Sequence, residues 1–410
     1  MLFLCHRIPY PPDKGDKIRA WNMFVHLSRR FDMHVGCFVD DPADQIHEPR
    51  LRAMCADLAC VPLGPWRQKL RALLAARPGR PLTRDYFRDA AMRRWVEAKL
   101  ADSGIEHVFV FSSGMADYVL DHERDGMVLD MVDVDSEKWR DYGHQARGVA
   151  RLFWAREART LLEFERLAAS HFSTTLFVSE HEMQRFATLA PESSPRLDWV
   201  ENGVDLDYFS PERSFPTPFA DGAPHLVFTG TMDYWPNADG VTWFVRHVMP
   251  LLARRSPGLR LSIVGANPTP KVRALSGPGV EVTGRVADVR PYLAHAAAVV
   301  APLRIARGVQ NKVLEAMAMA RPVIATPEAF EGVRAQADRD VLVAGDAAAM
   351  ARRVDEVLDG AHPGIGAAAR AAVQRHHAWP ITLRRLDRLF DRPPTAAAAP
   401  DAPARAAVHP

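Results

Sequence analysis

The chain has 410 residues, 52 Lys and Arg against 50 Asp and Glu for a formal net charge of +2, and 48% hydrophobic with 25% charged residues. That length holds two or three domains with two sizeable cores, and the nearly balanced charge argues against a general nucleic-acid binder, which needs a strong basic excess. The opening apolar run is too short for a signal peptide and no stretch approaches about 18 continuous apolar residues, so the expectation is a cytoplasmic protein, free or peripheral at the inner face of the membrane. Cys5, Cys37, Cys55 and Cys60 have spacings that make neither a metal site nor a disulfide framework; buried free thiols in a reducing compartment are expected.

Residues 1–5 read as a short buried strand, ended by Pro9, Pro11 and Pro12 in a loop that reaches Gly15. Asp16 is placed to cap a helix whose apolar residues Ile18, Trp21, Phe24, Val25 and Leu27 recur at helical spacing, and residues 35–39 form a second strand. Strand, glycine-containing loop, helix, strand is the start of a doubly wound α/β domain that binds ligands beyond the carboxyl ends of its strands. The loop lacks the full G-x-G-x-x-G pattern, so a dinucleotide is unsupported. Residues 65–99 read as helical and basic, with apolar residues among the cations; such a mixture suits either an anionic membrane surface or a solvated helix face over the core. Two more strands follow at 107–111 and 127–132. The second runs on through Asp133 and Asp135, a D-x-D spacing used to hold a divalent ion against a diphosphate, although either Asp135 or Ser136 can equally cap the next helix. Residues 151–171 form a long helix with Leu152, Trp154, Leu161, Leu162, Phe164 and Leu167 at its apolar positions, 172–178 a strand, and Ser179 caps another helix.

A Pro-rich linker with Pro211, Pro216, Pro218 and Pro224 precedes a second β-α series. Its strands, at 225–229, 259–264, 280–282 and 298–301, end at Gly230, Gly265, Gly284 and Pro302. Residues 307–326 then hold a helix with Val309, Val313, Leu314 and Met317 inward and Asn311, Lys312 and Glu315 on a neighbouring face, ended by Pro322, and a buried strand at 323–325. Gly308 lets the backbone enter this helix closely, and its first-turn amides favour an anion such as a phosphate. Glu315 one turn deeper is placed to accept hydroxyl protons. The plain alternative for Lys312 and Glu315 is a surface i,i+3 ion pair, worth only about 0.2–0.5 kcal/mol.

N-G-V-D at 202–205, L-V-F-T-G at 226–230, L-S-I-V-G at 261–265, V-T-G-R-V at 282–286 and G-V-Q-N-K-V-L-E-A-M-A at 308–318 resemble, in order, the motifs of glycosyltransferase family 4. With D-V-D-S-E-K-W at 133–139 and G-T-M-D-Y-W-P-N at 230–237, the chain is similar more narrowly to the sugar transferases associated with bacterial exosortase and exopolysaccharide loci. The resemblance implies an α/β protein of the GT-B fold, two facing Rossmann-like domains with a C-terminal crossover helix. The implied limits are an acceptor domain at 1–195, a nucleotide-sugar domain at 196–378, the crossover helix at 379–392 and a disordered Pro/Ala-rich tail at 393–410. It also implies retaining transfer of a sugar from a nucleotide diphosphate sugar to a saccharide or polyprenyl-linked saccharide in exopolysaccharide biosynthesis, with no cofactor, no metal and no nucleic-acid partner. Position by position, Glu315 matches the ribose-binding glutamate, Gly230 and Thr231 the turn beside the diphosphate, Arg285 and Val286 the loop beside the base, and Gly15 the first-domain glycine loop. Gly308, Asn311 and Lys312 fall at the diphosphate, and Asp133 falls near the position that often holds a histidine beside the sugar, which makes Lys312, Glu315 and Asp133 the candidate catalytic groups.

Three departures from that pattern stand out. Arg307 occupies the place of a second glutamate, and Met232, Asp233, Tyr234 and Trp235 replace the usual cations after Gly230, so charge compensation of the leaving phosphate shifts to Lys312 or Arg307. Ala320 stands where a glycine is usual, at a left-handed position that costs a non-glycine about 1 kcal/mol. Two competing functions fit such departures: a nucleotide-sugar epimerase, which would convert donor without acceptor, and a non-catalytic carbohydrate-binding or assembly protein.

Overall fold

Short apolar runs without polar alternation belong in strands buried on both faces, the signature of a parallel sheet covered by helices. The computed structural model describes residues 1–64, 79–102, 104–122, 126–220, 222–306 and 308–390. Two compact units divide the chain, residues 1–200 with the segment from Leu383 onward, and Glu201–Thr382.

In the first unit, β1 (Leu2–Cys5), β2 (His34–Val39), β3 (Asp57–Pro62), β4 (Val108–Phe111), β5 (Met127–Val132), β6 (Thr174–Phe177) and β7 (Leu197–Trp199) form one parallel sheet in the order β3-β2-β1-β4-β5-β6-β7. The division falls after Val200 rather than at residue 195 because β7 is the edge strand of this sheet, paired to β6. Strand order reverses between β1 and β4, the place where such sheets open a crevice for ligands. Cys5 and Cys37 are buried as expected, while Cys55 and Cys60, at the edge strand β3, are only half-buried.

Helix α1 (Gly15–Leu27) buries Trp21, Met23, Phe24 and Leu27 against the sheet. Its N-cap is Lys14, not Asp16 as expected. Asp16 lies inside the first turn and binds Arg7 at 2.7 Å and His6 at 3.2 Å. Burial opposes its ionisation, but the hydrogen bonds and charges of His6 and Arg7 prevail and hold this carboxyl far below the usual range.

Part of the basic stretch at 65–99 lies outside the described residues, namely 65–78. The remainder forms two helices, Leu82–Tyr86 and Ala90–Leu100, the second capped by Asp89. Arg84 and Arg93 pair with Asp117, and Lys99 with Asp57 at 2.7 Å, so these cations are spent on the protein's own carboxylates.

Beyond β5, α2 (Asp135–Gln145) and α3 (Val149–His171) form a hairpin, and α4 (Glu180–Leu189) follows β6 with Ser179 as its N-cap, accepting from the Glu182 amide as expected. Neither Asp135 nor Ser136 caps α2, whose N-cap is Val134; the Ser136 hydroxyl donates instead to Glu165.

In the second unit, β8 (His225–Thr229), β9 (Arg260–Val264), β10 (Val280–Gly284), β11 (Ala298–Ala301), β12 (Val323–Ala325) and β13 (Leu342–Val343) are again all parallel, ordered β10-β9-β8-β11-β12-β13, with the reversal between β8 and β11. Helix α5 (Trp235–Trp243) follows β8. The strand expected at 323–325 forms as β12, and the helix expected to run up to Pro322 is shorter, α6 (Asn311–Ala318). Ala320 at φ 54° ends it: the left-handed turn lets the Arg321 amide bond the Ala316 carbonyl, which closes the helix without glycine. The crossover helix expected at 379–392 is two pieces, Trp379–Thr382 in the second unit and α7 (Arg384–Leu389) in the first, where Asp387 binds His26 at 2.6 Å. The tail from 391 onward is outside the described residues.

Candidate functional site

In the second unit the turn after β8 is built on two glycines that have no room for a side chain. Gly230 has φ 154° and Gly265, after β9, φ 153°. A Cβ on Gly265 would lie 1.7 Å from the Gly230 carbonyl oxygen, and one on Gly230 2.7 Å from the Asn237 amide nitrogen. Gly265→Ala is therefore expected to push the Gly230 turn outward, lowering stability by about 1–3 kcal/mol. Thermal unfolding measures the loss, and an unchanged transition would show that the turn has room for a side chain.

Asn237, buried on α5, joins the turn to α6. Its Nδ2 donates to the Thr231 carbonyl at 2.9 Å, and its Oδ1 accepts from Lys312 Nζ at 2.9 Å. Lys312 Nζ also lies 5.4 Å from the centre of the Phe228 ring. Burial lowers the ammonium to about 8, with Glu315 pulling the other way. Burial likewise pushes Glu315 up to about 7 against the attraction of Lys312. Among the described residues no ion pair joins the two, and the Glu315 carboxylate has no hydrogen-bond partner. The i,i+3 ion pair is thus not formed: Lys312 is held by Asn237, and the half-buried Glu315 carboxylate is left for another partner.

The start of α6 is more restricted than an ideal helix end. The amides of Val313 and Leu314 both bond the Gln310 carbonyl, so the unbonded first-turn amides among the described residues are those of Asn311 and Lys312. Gly308, at φ 60°, makes the approach to the helix, and the Asn311 side chain accepts from Asn202, the first residue of the N-G turn, at 3.1 Å. Arg307 is outside the described residues. At the end of β10, Arg285 is exposed and Val286 half-buried against the core. Tyr208, absent from the expected set, lies near enough to Glu315 for that carboxylate to add to the burial that raises its phenol, and its ring stacks under the Arg290 guanidinium at 3.7 Å.

In the first unit, Gly15 is the exposed first residue of α1, beside the His6, Arg7 and Asp16 cluster. Asp133 follows a bulge in β5, where the register to β6 shifts between Asp130 and Val132. Val132 takes φ 68°, a strained conformation for a β-branched residue, and its amide is held by Asp130 Oδ1 at 3.1 Å. Asp133 Oδ1 is buried without a partner. Burial, then the carboxylates of Glu182 and Asp135, push its acid up to about 7. Glu182 accepts from the Val134 amide at 3.0 Å, and Glu165, pushed up to about 8 by burial, accepts from the Ser136 amide at 3.2 Å. Sequence reading missed Glu165 and Glu182, and it quoted Asn237 in the 230–237 motif without giving it a role. The only signal for the two acids is their place on otherwise apolar helix faces. Among the described residues no cluster of three or more His, Cys, Asp or Glu at metal-binding separation forms, Asp133 and Asp135 included.

Two helix-covered parallel sheets, the second carrying a glycine turn and a Lys-Glu helix at its switch point, make this a GT-B protein. Residues 223–360 match the family described as Glycosyl transferases group 1, so the second unit carries a glycosyltransferase domain. Sucrose-phosphate synthase from Thermosynechococcus elongatus is similar in structure, at 17% identity and TM-score 0.66 over 95% of this chain and 97% of that one. HepE of Anabaena, solved with UDP and glucose, is similar at 14% identity and TM-score 0.65 over 95% and 98%. WaaG, a glycosyltransferase involved in lipopolysaccharide biosynthesis, is similar at 14% and 0.64 over 95% and 99%. No curated protein sequence matches the chain.

Proposed function

We propose that the protein transfers a sugar, with retention, from a nucleotide diphosphate sugar to a saccharide or polyprenyl-linked saccharide, in exopolysaccharide biosynthesis. The observation that carries the transfer chemistry is the Gly230–Asn237–Lys312 arrangement, with Glu315, which has no hydrogen-bond partner among the described residues, one turn further along α6. The glycosyltransferase domain at 223–360 supports it, as does the likeness to HepE, solved with UDP-glucose. Glu315 accepts the ribose hydroxyls. The glycine turn at Gly230 and Thr231, with Gly308 and the Asn311 and Lys312 amides, receives the diphosphate. Arg285 and Val286 stand beside the base, and Gly15 belongs to the acceptor side.

As the bond from the anomeric carbon to the diphosphate oxygen stretches, charge gathers on the leaving group, and the Lys312 ammonium stabilises it. The acceptor hydroxyl oxygen bonds to the same face of the anomeric carbon, and its proton passes to the departing phosphate oxygen. No protein nucleophile is needed, and retention follows from same-face attack. Asp133, half protonated near pH 7, is the first unit's candidate for holding a sugar or acceptor hydroxyl.

Glu315→Ala tests the donor assignment. Hydrogen bonds to a charged group contribute about 1.5–3 kcal/mol, so nucleotide affinity is expected to fall about 10- to 100-fold by titration calorimetry. Because the carboxyl ionises near 7, wild-type affinity should strengthen from pH 6 to pH 8, and the variant should lose that dependence. Undiminished affinity in Glu315→Ala would remove the residue from the ribose site. Transfer of labelled sugar to an acceptor, rather than donor conversion in its absence, distinguishes a transferase from an epimerase.

A further inference from the structure

The four cysteines of the chain gather in the first unit, at the β3 side of its sheet. Cys5 of β1 and Cys37 of β2 are register partners, and so are Cys37 and Cys60 of β3, which sets three of them in a row across three adjacent parallel strands. Partners of this kind point to the same face of a sheet whose strands lie about 4.8 Å apart. Cys55 stands just before β3, its thiol donating to the Leu51 carbonyl at 3.0 Å, and it too is near enough to act on Cys37 electrostatically. Among the described residues no three of them stand at metal-binding separation.

Within the row one pair is in direct thiol–thiol contact: Sγ of Cys37 and Sγ of Cys60 lie 3.4 Å apart. A disulfide needs Cα atoms about 4.4–6.8 Å apart and brings the sulfurs to about 2 Å. Neighbouring strands already supply the first condition, and rotation of the two side chains supplies the second. Burial of the pair is unequal. Cys37 is 0% exposed, and its hydrogen bond with Cys60, then burial, keep its thiol protonated well above the ordinary range. Cys60 is half-buried on the edge strand and is the more accessible of the two. Cys5 is 1% exposed on an inner strand, its thiol pushed up to about 12 by burial, which leaves it unreactive.

We propose that Cys37 and Cys60 are a redox-active pair, which hydrogen peroxide closes into a disulfide between β2 and β3. The Cys60 sulfur attacks one peroxide oxygen, the O–O bond breaks, and the released hydroxide leaves as water with the Cys60 proton, so that Cys60 becomes a sulfenic acid. The Cys37 sulfur then bonds to the Cys60 sulfur and displaces its hydroxyl, which takes the Cys37 proton and leaves as a second water. Two thiols are oxidised and one peroxide is reduced, with no further reactant. In a reducing compartment the pair rests as thiols and closes only under oxidant. The new bond closes the loop between the two cysteines, whose Asp40 pairs with Arg7 and whose Asp44 pairs with Lys17 of α1, each at 2.8 Å. Oxidation thus tethers the edge strand together with this loop. The pair and its test are independent of the proposed sugar transfer.

The folded full-length protein is treated with hydrogen peroxide, digested without reductant using cleavage before Asp57 to separate Cys55 from Cys60, and mapped by mass spectrometry. A Cys37–Cys60 linkage lighter by the two thiol hydrogens is expected, reversed by dithiothreitol, with Cys5 and Cys55 left as thiols. Cys37→Ala removes the thiol that resolves the sulfenic acid, so Cys60 should go on to the sulfinic or sulfonic acid, whereas Cys55→Ala should leave the linkage intact. Thermal unfolding checks that each variant is folded, and the wild-type map stands without them. Hydrogen exchange at the β3 amides should slow on oxidation and recover on reduction; exchange that does not slow would remove the tether. Four surviving thiols, a linkage through Cys5 or Cys55, a linkage formed only in denaturant, or over-oxidation of Cys60 at the same rate with and without Cys37 would overturn the proposal.

Discussion

Replacing Lys312 by alanine is expected to lower turnover about 10²- to 10³-fold, the loss typical of removing one preorganised donor from a developing oxyanion, while nucleotide affinity falls far less. The ammonium is already fixed before any donor arrives, held at 2.9 Å by Asn237 and set over Phe228. Its burial makes it costly to keep charged, hence the value of about 8, and makes it effective on a leaving group once the diphosphate replaces water. The turnover-to-KM ratio should therefore rise as a carboxyl ionises near 7 and fall as Lys312 loses its proton near 8, giving a narrow bell. Both Glu315 and Asp133 titrate near 7, so Glu315→Gln and Asp133→Asn identify which of them sets the acid limb. Lys312→Arg should shift the alkaline limb upward, because a guanidinium does not deprotonate in that range. An alkaline limb that stays in place in this variant, or turnover unchanged in Lys312→Ala, removes Lys312 from the leaving group. Asn237→Ala should reproduce part of the loss, since Asn237 acts only by positioning Lys312 and the Gly230 turn.

The parts that were legible in the chain are those encoded over a few consecutive residues. Apolar runs such as 2–5 and 225–229 are strands because they are buried on both faces, and the glycines after them mark strand ends. The left-handed place of Ala320 follows from the resemblance, which puts a glycine there, although the helix it ends runs only from Asn311 to Ala318. What escaped depends on contacts remote in sequence. Asn237 matters through a lysine 75 positions later, and Glu182 through an amide 48 positions earlier, so no local pattern announces either. Periodicity also misplaced Leu152 and Leu167, which share the spacing of core residues but stand 72% and 53% exposed, because a helix pattern does not say where the helix outruns the sheet beneath it. The bulge at Val132 was invisible for a related reason: a β-branched residue suits a regular strand, and only its surroundings force it out of one.

Asp130→Ala is expected to cost about 3–5 kcal/mol, the range for breaking a buried ion pair, because it leaves the Arg19 guanidinium uncompensated at a fully buried position. Arg19 binds Asp130 through two nitrogens at 2.7 and 3.1 Å and donates to the Val200 carbonyl at 2.6 Å, so one side chain of α1 holds the ends of β5 and β7. A chain of two units does not unfold in one step, so the loss is read from hydrogen exchange of the β5 amides rather than from a single melting point. Arg19→Met combined with Asp130→Leu should cost less than either single change to a small residue, since no charge is then stranded; a double variant as unstable as the sum would mean that shape rather than charge decides. Asp130 has a second task, the bond from its Oδ1 to the Val132 amide, which offsets a left-handed conformation that costs about 1–2 kcal/mol. Without it Val132 relaxes toward a regular strand, and a one-residue change of register turns Asp133 to the opposite face of the sheet. Asp130→Asn, which keeps shape and one acceptor, should retain the bulge better than Asp130→Ala at similar loss of the ion pair. On the proposed function, sugar transfer should follow that order while nucleotide diphosphate affinity stays unchanged, tying Asp133 to the transfer step through the strain that presents it.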